Sequence, residues 1–252
     1  MAIRQTEAIV LKTMTYGETS KILTVLSKDH GKISLLAKGA RDTKSKYGGS
    51  LEPFTHINVV YYEKEGRELQ YLSEASVLNG FLGIPCSLER LYPAMAVLEV
   101  CSRVVHGNEE HPKLFELVRQ TLEGLSKTSK RPMNGLLYFM AQLASLLGYR
   151  LEAERCSHCL HLMEQSNFKF NVEYGRVVCG ACPPALQSTT LTLTKETVAI
   201  LAQLNKSNGA GVFNLAISEN SGREVFRVLL KHLQYHLDEL TSLNTLPFLN
   251  AS

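Results

Sequence analysis

The chain has 252 residues, 44% of them hydrophobic, which is enough for two modest domains or for one domain with an insert. No apolar run approaches the roughly 20 residues that a membrane-spanning helix needs. The first residues lack the charged and apolar regions of a signal peptide, so we expect a cytoplasmic protein with reduced thiols. A net charge of +3 is too small to indicate a nucleic-acid partner, so the distribution of charge matters more than its sum.

The N-terminal third alternates between apolar and polar residues, which is typical of β-strands. Five strands are predicted, at residues 8–14, 21–26, 33–37, 55–62 and 69–75. The residues expected to point inward from the last three are Ile33, Leu35, Ala37, Ile57, Val59, Tyr61, Leu69, Tyr71 and Ala75. Five short strands with one long connection after the third predict a closed barrel of the OB type, with an SH3-like barrel as the alternative.

From residue 87 onward the apolar residues recur with a helical period. Helices are predicted at residues 87–105, 111–125, 132–147, 194–205 and 222–243. The third is apolar on nearly every side, which predicts that it is the buried centre of a bundle. The last residues, 244–252, are expected to fray. We therefore predict a multidomain α+β protein: an OB barrel at residues 1–80, then a helical domain at residues 81–252.

Two C-x-x-C motifs interrupt this helical region. Cys156 and Cys159 are followed, after 19 residues, by Cys179 and Cys182. Each motif places two thiolates on one tight turn, and two such turns form the tetrahedral sulfur cage of a zinc ribbon. Gly180 suits the second turn, where the backbone must curl around the metal. A four-cysteine zinc-ribbon insert is therefore predicted at about residues 151–185, with a short hairpin between the motifs.

Other interpretations of the cysteines are weaker. A disulfide framework is typical of secreted proteins, and a redox C-x-x-C is typically single and lies in a βαβ unit. His158 and His161 lie close enough in sequence to replace one cysteine as a ligand. Four sulfur ligands leave no open position for water, so one structural Zn²⁺ per chain is the prediction, and catalysis at the metal is not.

Basic residues concentrate in the barrel between residues 28 and 46, where six Lys or Arg face two acidic residues. From residue 47 to 80 the balance reverses, with two basic and five acidic residues. A barrel with one basic edge is what a phosphate-binding groove requires, although an ordinary solvated loop has the same composition. The candidate DNA-binding residues are Lys32, Lys38, Arg41, Lys44 and Lys46; candidate stacking aromatics are Tyr16, Tyr47, Phe54 and Tyr62.

Two stretches carry a resemblance to a known family. The segment EAIVLKTMTYGETSKILTVLSKDHGKISLLAKGAR, at residues 7–41, resembles the bacterial DNA repair family RecO, and so does LLGYRLEAERCSHC at residues 146–159 with its closing C-x-x-C. The similarity extends over nearly the whole chain. The resemblance places Lys38 and Arg41 at basic positions after the third strand, and the four cysteines at the zinc ligands. Leu160 and Pro183 stand where many zinc knuckles have glycine or a polar residue.

The resemblance implies a recombination mediator without catalytic turnover. Such proteins bind single- and double-stranded DNA and anneal complementary strands. They act with RecR and with the single-stranded-DNA-binding protein, SSB, to help RecA load onto DNA. The implied location is the bacterial cytoplasm, in association with the nucleoid, and no membrane or small-molecule substrate is expected.

Two other function classes fit the same sequence. A zinc-stabilised scaffold would bind only protein, using the barrel as a docking surface. A zinc-dependent hydrolase or nuclease would need an open metal site and carboxylates, for which Glu152 and Glu154 are the candidates by position. The common phosphate-binding, dinucleotide-binding, metalloprotease and serine-hydrolase motifs do not occur.

Overall fold

A computed structural model describes residues 2–107, 109–128, 130–161, 167–183, 189–207, 209 and 211–249. The chain forms two compact units. The first contains residues up to Ser126 together with the residues from Leu243 on, and the second runs from Lys127 to Ser242. Among the described residues, no helix has the length and apolar character needed to cross a membrane. The predicted domain boundary between residues 80 and 81 stays a prediction.

The first unit begins with a closed five-stranded barrel. Its strands are β1 (Ala2–Tyr16), β2 (Ser20–Ser27), β3 (Lys32–Ala37), β4 (His56–Glu63) and β5 (Leu69–Asn79). The order around the barrel is β1-β2-β3-β5-β4, with β3 parallel to β5 and the other pairs antiparallel. This order is that of an OB barrel, so the prediction is confirmed.

Strand β1 closes the barrel because it pairs on both sides. Its first half, Ala2 to Ile9, pairs with β4, and its second half, Ala8 to Tyr16, pairs with β2. The register shifts between Val10 and Lys12, so Leu11 is the extra residue of a bulge. A bulge bends a strand, and this bend lets one strand serve both neighbours. The sequence predicts only residues 8–14, because residues 2–5 are exposed and lack an apolar alternation.

The barrel core confirms the predicted inward faces of β3 and β4 but not that of β5. Leu72 and the polar Gln70 are buried, whereas Leu69 and Tyr71 are only partly buried. The cause is a second bulge: Val60 pairs with Glu74, but Tyr61 pairs with Leu72, so one residue of β5 has no partner. Ala75 packs against the core as predicted. The predicted alternation is continued from Ala75 across this bulge without a change of phase, and it therefore assigns Leu69 and Tyr71 to the wrong face.

Two helices of the first unit follow the barrel. They are α1 (Leu88–Val104) and α2 (Pro112–Lys127). The ring of Phe115 in α2 contacts the ring of His56 in β4 edge-on, with centroids 5.7 Å apart. In α1, Leu98 and Cys101 are buried as their spacing predicts, but Leu88 and Met95 of the same predicted stripe are exposed.

The C-terminal segment returns to α1, so the expectation that residues 244–252 fray is wrong for residues 244–249; residues 250–252 lie outside the described part. A short helix, α6 (Leu246–Leu249), stacks Phe248 on Tyr92 with ring centroids 5.4 Å apart. The carboxylate of Glu99 accepts hydrogen bonds from the backbone N–H of Asn244 at 2.8 Å and of Thr245 at 2.9 Å. These N–H groups fix the segment through backbone contacts that sequence periodicity does not reveal.

We expect Glu99→Gln to release this segment. Burial alone would raise the pKa of Glu99, but the N–H groups of Asn244 and Thr245 outweigh burial and hold the pKa below its ordinary value. A carboxyl group whose pKa is lower in the folded than in the unfolded state stabilises the fold at any pH above its unfolded pKa. This stabilisation is lost as the pH falls through the folded pKa. At neutral pH the substitution is expected to destabilise the docked segment by about 2 kcal/mol. Hydrogen exchange of residues 243–249 across pH measures it, with the exposed Glu89→Gln as control.

The second unit packs three helices with a small sheet. The helices are α3 (Met133–Leu146), α4 (Lys195–Lys206) and α5 (Glu219–His236), and the strands are β6 (Asn167–Asn171), β7 (Arg176–Cys179) and β8 (Thr190–Thr194). Helix α3 is buried along nearly all of its length and contacts both α4 and α5, which confirms that it is the centre. Short 3₁₀ turns at Val212–Asn214 and Asp238–Leu240 flank α5.

The sheet has the order β7-β6-β8. The sequence predicts the hairpin of β6 and β7, but it does not predict β8. Leu191 and Leu193 of β8 pair with Phe170 and Phe168 of β6, which places these apolar residues on the same face of the sheet. Thr194 ends β8 and caps α4, since its side chain accepts a hydrogen bond from the N–H of Thr197.

Candidate metal centre and candidate nucleic-acid interface

The four cysteine sulfurs of the two C-x-x-C motifs lie within 4.8 Å of one another. Cys159 Sγ and Cys179 Sγ are 3.8 Å apart. Four sulfurs at a Zn–S distance of about 2.3 Å in a tetrahedron are about 3.8 Å apart, whereas a disulfide needs about 2 Å. All six cysteines of the chain are free thiols. The geometry therefore fits a metal ion and not disulfides, and a four-sulfur set is the set that zinc prefers.

The local backbone turns toward the sulfurs. Cys156 Sγ accepts hydrogen bonds from the N–H of His158 at 3.4 Å and from that of Cys179 at 3.3 Å. The N–H of Leu160 donates to the carbonyl of Cys156 at 2.9 Å and closes the first turn. Leu160 has a φ of 62°, the left-handed conformation for which glycine is the usual residue, so this turn is strained.

Gly180 is needed for a different reason from the predicted one. Its φ is not in the left-handed region, but a Cβ at this position would lie 2.9 Å from the carbonyl oxygen of Asn167. The N–H of Cys182 donates to the carbonyl of Cys179 at 3.1 Å and completes the second turn. Glycine at residue 180 therefore allows the second cysteine pair to approach strand β6 closely.

The protonation of the thiols shows why a cation suits this site. Burial would raise the pKa of Cys156, but the N–H groups of Cys179, Cys159 and His158 directed at its sulfur lower the pKa to about 6. The hydrogen bond that Cys182 makes with Cys179 raises the pKa of the Cys182 thiol to about 12. Four neighbouring thiolates repel one another, and a divalent cation at their centre offsets that repulsion.

Neither the histidine alternative nor the hydrolase alternative gains support from the geometry. Among the described residues, the cluster that could hold a metal consists of the four cysteines, without His158 or His161. Glu152 Oε2 pairs with Arg176 Nε at 3.0 Å, and Glu154 Oε2 pairs with Lys206 Nζ at 3.2 Å. Both carboxylates that a hydrolase would need are thus engaged in ion pairs outside the cluster.

The ribbon is anchored to α5 by His232, which sequence reasoning missed. This histidine is 1% exposed, and its Nδ1 lies 2.6 Å from the carbonyl oxygen of Val172, beside the hairpin turn. Its Nε2 lies 2.8 Å from the carbonyl oxygen of Tyr149. Both ring nitrogens of His232 thus face backbone carbonyl oxygens, one beside the hairpin and one after α3. Burial, followed by the electrostatic interaction with His232, lowers the pKa of the neighbouring His236.

The predicted DNA-binding residues do not form one set. Lys38, Arg41, Lys44 and Lys46 are exposed and lie on the connection between β3 and β4; we call residues 38–46 the basic loop. Lys32 differs, because its Nζ donates to the carbonyl oxygen of Ser102 at 2.7 Å. Ser102 lies in the last turn of α1, whose terminal carbonyls lack helical partners. Lys32 is therefore engaged in capping this helix.

Arg41 holds the loop between β1 and β2. Its backbone N–H donates to the carbonyl of Thr19 at 2.8 Å, and Nη1 donates to the carbonyl of Glu18 at 2.9 Å. Nη1 also lies 3.4 Å from the carbonyl oxygen of Gly17. These contacts fix the position of an exposed guanidinium at the end of the barrel. Its other nitrogens, Nη2 and Nε, are the ones that the geometry leaves to a ligand.

The aromatic candidates separate by burial. Tyr47 is 5% exposed, and its hydroxyl donates to the carbonyl of Leu72 at 3.0 Å, so it packs in the barrel core and is not a stacking platform. Tyr16 and Tyr62 are exposed at 53% and 38%. Phe54 is half-buried with a φ of 70°. Tyr16 and Tyr62 are thus the more exposed members of the predicted aromatic set.

Two further residues adjoin the basic loop that the sequence does not identify. Lys38 Nζ lies 4.8 Å from the centroid of the Tyr71 ring, and Arg67 Cζ lies 5.8 Å from the same centroid. Sequence alternation assigns Tyr71 to the barrel interior, and charge counting assigns Arg67 to an acidic segment. The β5 bulge is the reason for the first error, and counting charge along the chain is the reason for the second.

Comparison with known proteins agrees with this architecture. Residues 1–81 match the family model Recombination protein O N terminal, and residues 86–244 match Recombination protein O C terminal. DNA repair protein RecO of Anaeromyxobacter dehalogenans (strain 2CP-C) is 31% identical over 230 residues, 91% of this chain and 89% of that protein. The protein of that name from Chloroherpeton thalassium is 29% identical over 254 residues, 98% of each chain.

A third relative, DNA repair protein RecO of Rhodopirellula baltica, is 35% identical over 199 residues, 78% of this chain and 73% of that protein. The two family models meet between residues 81 and 86, at the end of the barrel strands. Barrel, helical region and cysteine cluster thus occur in one chain that these matches cover almost completely. The chain belongs to the RecO family of DNA repair proteins.

Proposed function

We propose that this protein is a DNA-binding recombination mediator that neutralises the phosphates of DNA strands with its basic loop, without reading bases. The observation that carries the proposal is the exposure of Lys38, Arg41, Lys44 and Lys46 on one connection of an OB barrel. Exposed cations on such a barrel release counterions from a DNA backbone and bind it independently of sequence. Membership in a DNA repair family supports the same ligand.

The mediator acts by bringing strands together and not by turning over a substrate. Phosphate neutralisation reduces the repulsion between two complementary strands and leaves their base edges available for pairing. RecR and SSB are the proposed protein partners, and loading of RecA onto SSB-coated DNA is the proposed outcome. In this function one Zn²⁺ held by Cys156, Cys159, Cys179 and Cys182 stabilises the ribbon and takes no part in chemistry. The setting is the bacterial nucleoid.

Reversing the charge at two loop positions tests the proposal. Wild-type protein is expected to bind a labelled single-stranded oligonucleotide with an affinity that falls steeply with salt. Each lost phosphate contact lowers the slope of log K against log salt by about 0.7 for single strands, so Lys38→Glu/Arg41→Glu is expected to lower it by about 1.4. Fluorescence anisotropy across a salt series measures the slope.

A matched control separates a local contact from overall charge. Arg227→Glu/Lys231→Glu makes the same change in net charge at exposed positions of α5 and is expected to retain the slope. Equal slopes for wild type and the loop variant would show that the loop is not the interface. Failure of the folded, zinc-loaded wild type to bind any oligonucleotide at low salt would instead favour the protein-only scaffold.

A further inference from the structure

We infer that Arg67 is a second phosphate-binding position, outside the basic loop, and that Tyr71 positions it together with Lys38. The inference rests on the proposed DNA-binding function and deepens it. Arg67 lies on the turn between β4 and β5, and Lys38 follows β3. Both cations contact one aromatic ring, so they belong to one surface although 28 residues of the chain separate them.

The ring contact brings the two cations together. Lys38 Nζ lies 4.8 Å and Arg67 Cζ lies 5.8 Å from the centroid of Tyr71, both within the range of a cation–π contact. Two positive charges at one ring repel each other, and a negative group or the ring quadrupole offsets that repulsion. The π-face of Tyr71 supplies part of that offset, and a phosphate bound between the two cations supplies more.

The turn that carries Arg67 is preorganised. Gln70, which is 7% exposed, donates from Nε2 to the carbonyl of Arg67 at 2.6 Å and to that of Lys64 at 3.2 Å. Its Oε1 accepts from the N–H of Lys64 at 2.9 Å. A buried side chain thus satisfies three backbone groups of the turn. Because the backbone of the turn is held in this way, binding a ligand at Arg67 orders little more than its own side chain.

Nearby glutamates reduce the positive charge less than their number suggests. Glu63 Oε2 is paired with Arg4 Nε at 2.8 Å, and Glu52 Oε1 is paired with Lys21 Nζ at 2.8 Å. Glu65 and Glu68 lie near Arg67 in sequence and are exposed, but the guanidinium of Arg67 lies over the Tyr71 ring, which Lys38 also contacts. The segment from residue 47 to 80 is acidic as a count along the chain, yet it contributes a cation to the basic surface.

The experiment compares Arg67→Glu with Lys64→Glu, which makes the same charge change on the same turn. Each phosphate contact to single-stranded DNA adds about 0.7 to the slope of log K against log salt. One such contact therefore strengthens binding about fivefold when the salt concentration is lowered from 1 M to 0.1 M. We expect Arg67→Glu to lose at least this much for a labelled oligonucleotide by anisotropy, and Lys64→Glu to keep the wild-type slope. Equal losses of affinity in the two variants would overturn the inference, because they would reflect only the change in the net charge of the protein.

The positioning role of Tyr71 has its own test. Tyr71→Phe retains the ring and is expected to bind like wild type, whereas Tyr71→Leu is expected to lose roughly two- to fivefold in affinity. Thermal unfolding of both variants checks that the barrel is intact. Equal affinity of the Phe and Leu variants would overturn the role of the ring.

The same assay distinguishes this inference from the proposed function. If Lys38→Glu/Arg41→Glu weakens DNA binding while Arg67→Glu does not, this inference fails and the proposed function stands. If the wild-type protein does not bind DNA, the proposed function itself fails.

Discussion

Cys179→Ser is expected to lower the zinc content well below one per chain and to unfold the ribbon. Serine supplies a poor ligand, and the three remaining sulfurs keep only part of the cage. Structural zinc contributes about 10–16 kcal/mol to small zinc-binding folds, which is comparable to the whole stability of a domain. The two strands of the ribbon are short, with five residues in β6 and four in β7, so strand pairing alone contributes little to its stability. Metal analysis together with hydrogen exchange of residues 151–183 measures the effect.

Cys86→Ser is the matched control for this prediction. Cys86 is an exposed free thiol in the first unit and lies outside the metal cluster. The same change of sulfur to oxygen there is expected to leave the metal content and the exchange of the ribbon unchanged. A Cys179→Ser protein that lacked zinc but kept the wild-type exchange in residues 151–183 would show that the strands and His232 hold the ribbon without metal.

The metal cluster could be predicted because its information is local. Each C-x-x-C fixes two ligands on one turn, so spacing along the chain almost determines spacing in the fold. The role of His232 could not be predicted in this way. Its two acceptors, the carbonyls of Val172 and Tyr149, are 60 and 83 residues away in sequence. Backbone acceptors leave no signal in residue type, so a buried histidine on a helix is indistinguishable from one that only packs.

The barrel shows the same division between local and long-range information. Strand periodicity predicts five strands and the inward faces of β3 and β4, because alternation is a local property. The predicted face of Tyr71 is wrong because a bulge changes the phase of alternation and depends on pairing with β4. The contact of Lys32 with α1 could not be predicted from the sequence either, because only the packing of α1 brings the carbonyl of Ser102 within reach of Lys32.

Gly83→Ala is expected to destabilise the first unit by about 3 kcal/mol, a typical cost of overpacking combined with a lost hydrogen bond. A Cβ on Gly83 would lie 2.0 Å from the carbonyl oxygen of Ser126. This oxygen also accepts a hydrogen bond from Arg90 Nη1 at 3.3 Å, and the N–H of Gly83 donates to Ser126 Oγ at 3.1 Å. Backbone atoms cannot rotate away, so the end of α2 must move and these contacts weaken. Thermal unfolding monitored by circular dichroism measures the loss.

Gly49→Ala is the control, because a Cβ there meets nothing within 4 Å and its φ is not in the left-handed region. It is expected to leave the melting temperature unchanged, and equal melting temperatures of the two variants would contradict the steric argument.

The Gly83 variant also tests the domain boundary predicted at residue 80. Phe81 and Ile84 on either side of Gly83 are 2% and 0% exposed. If the barrel and the α1–α2 pair melt together in the variant, the first unit folds cooperatively through Ser126. If the helices melt while the barrel signal persists, residues 1–80 fold on their own.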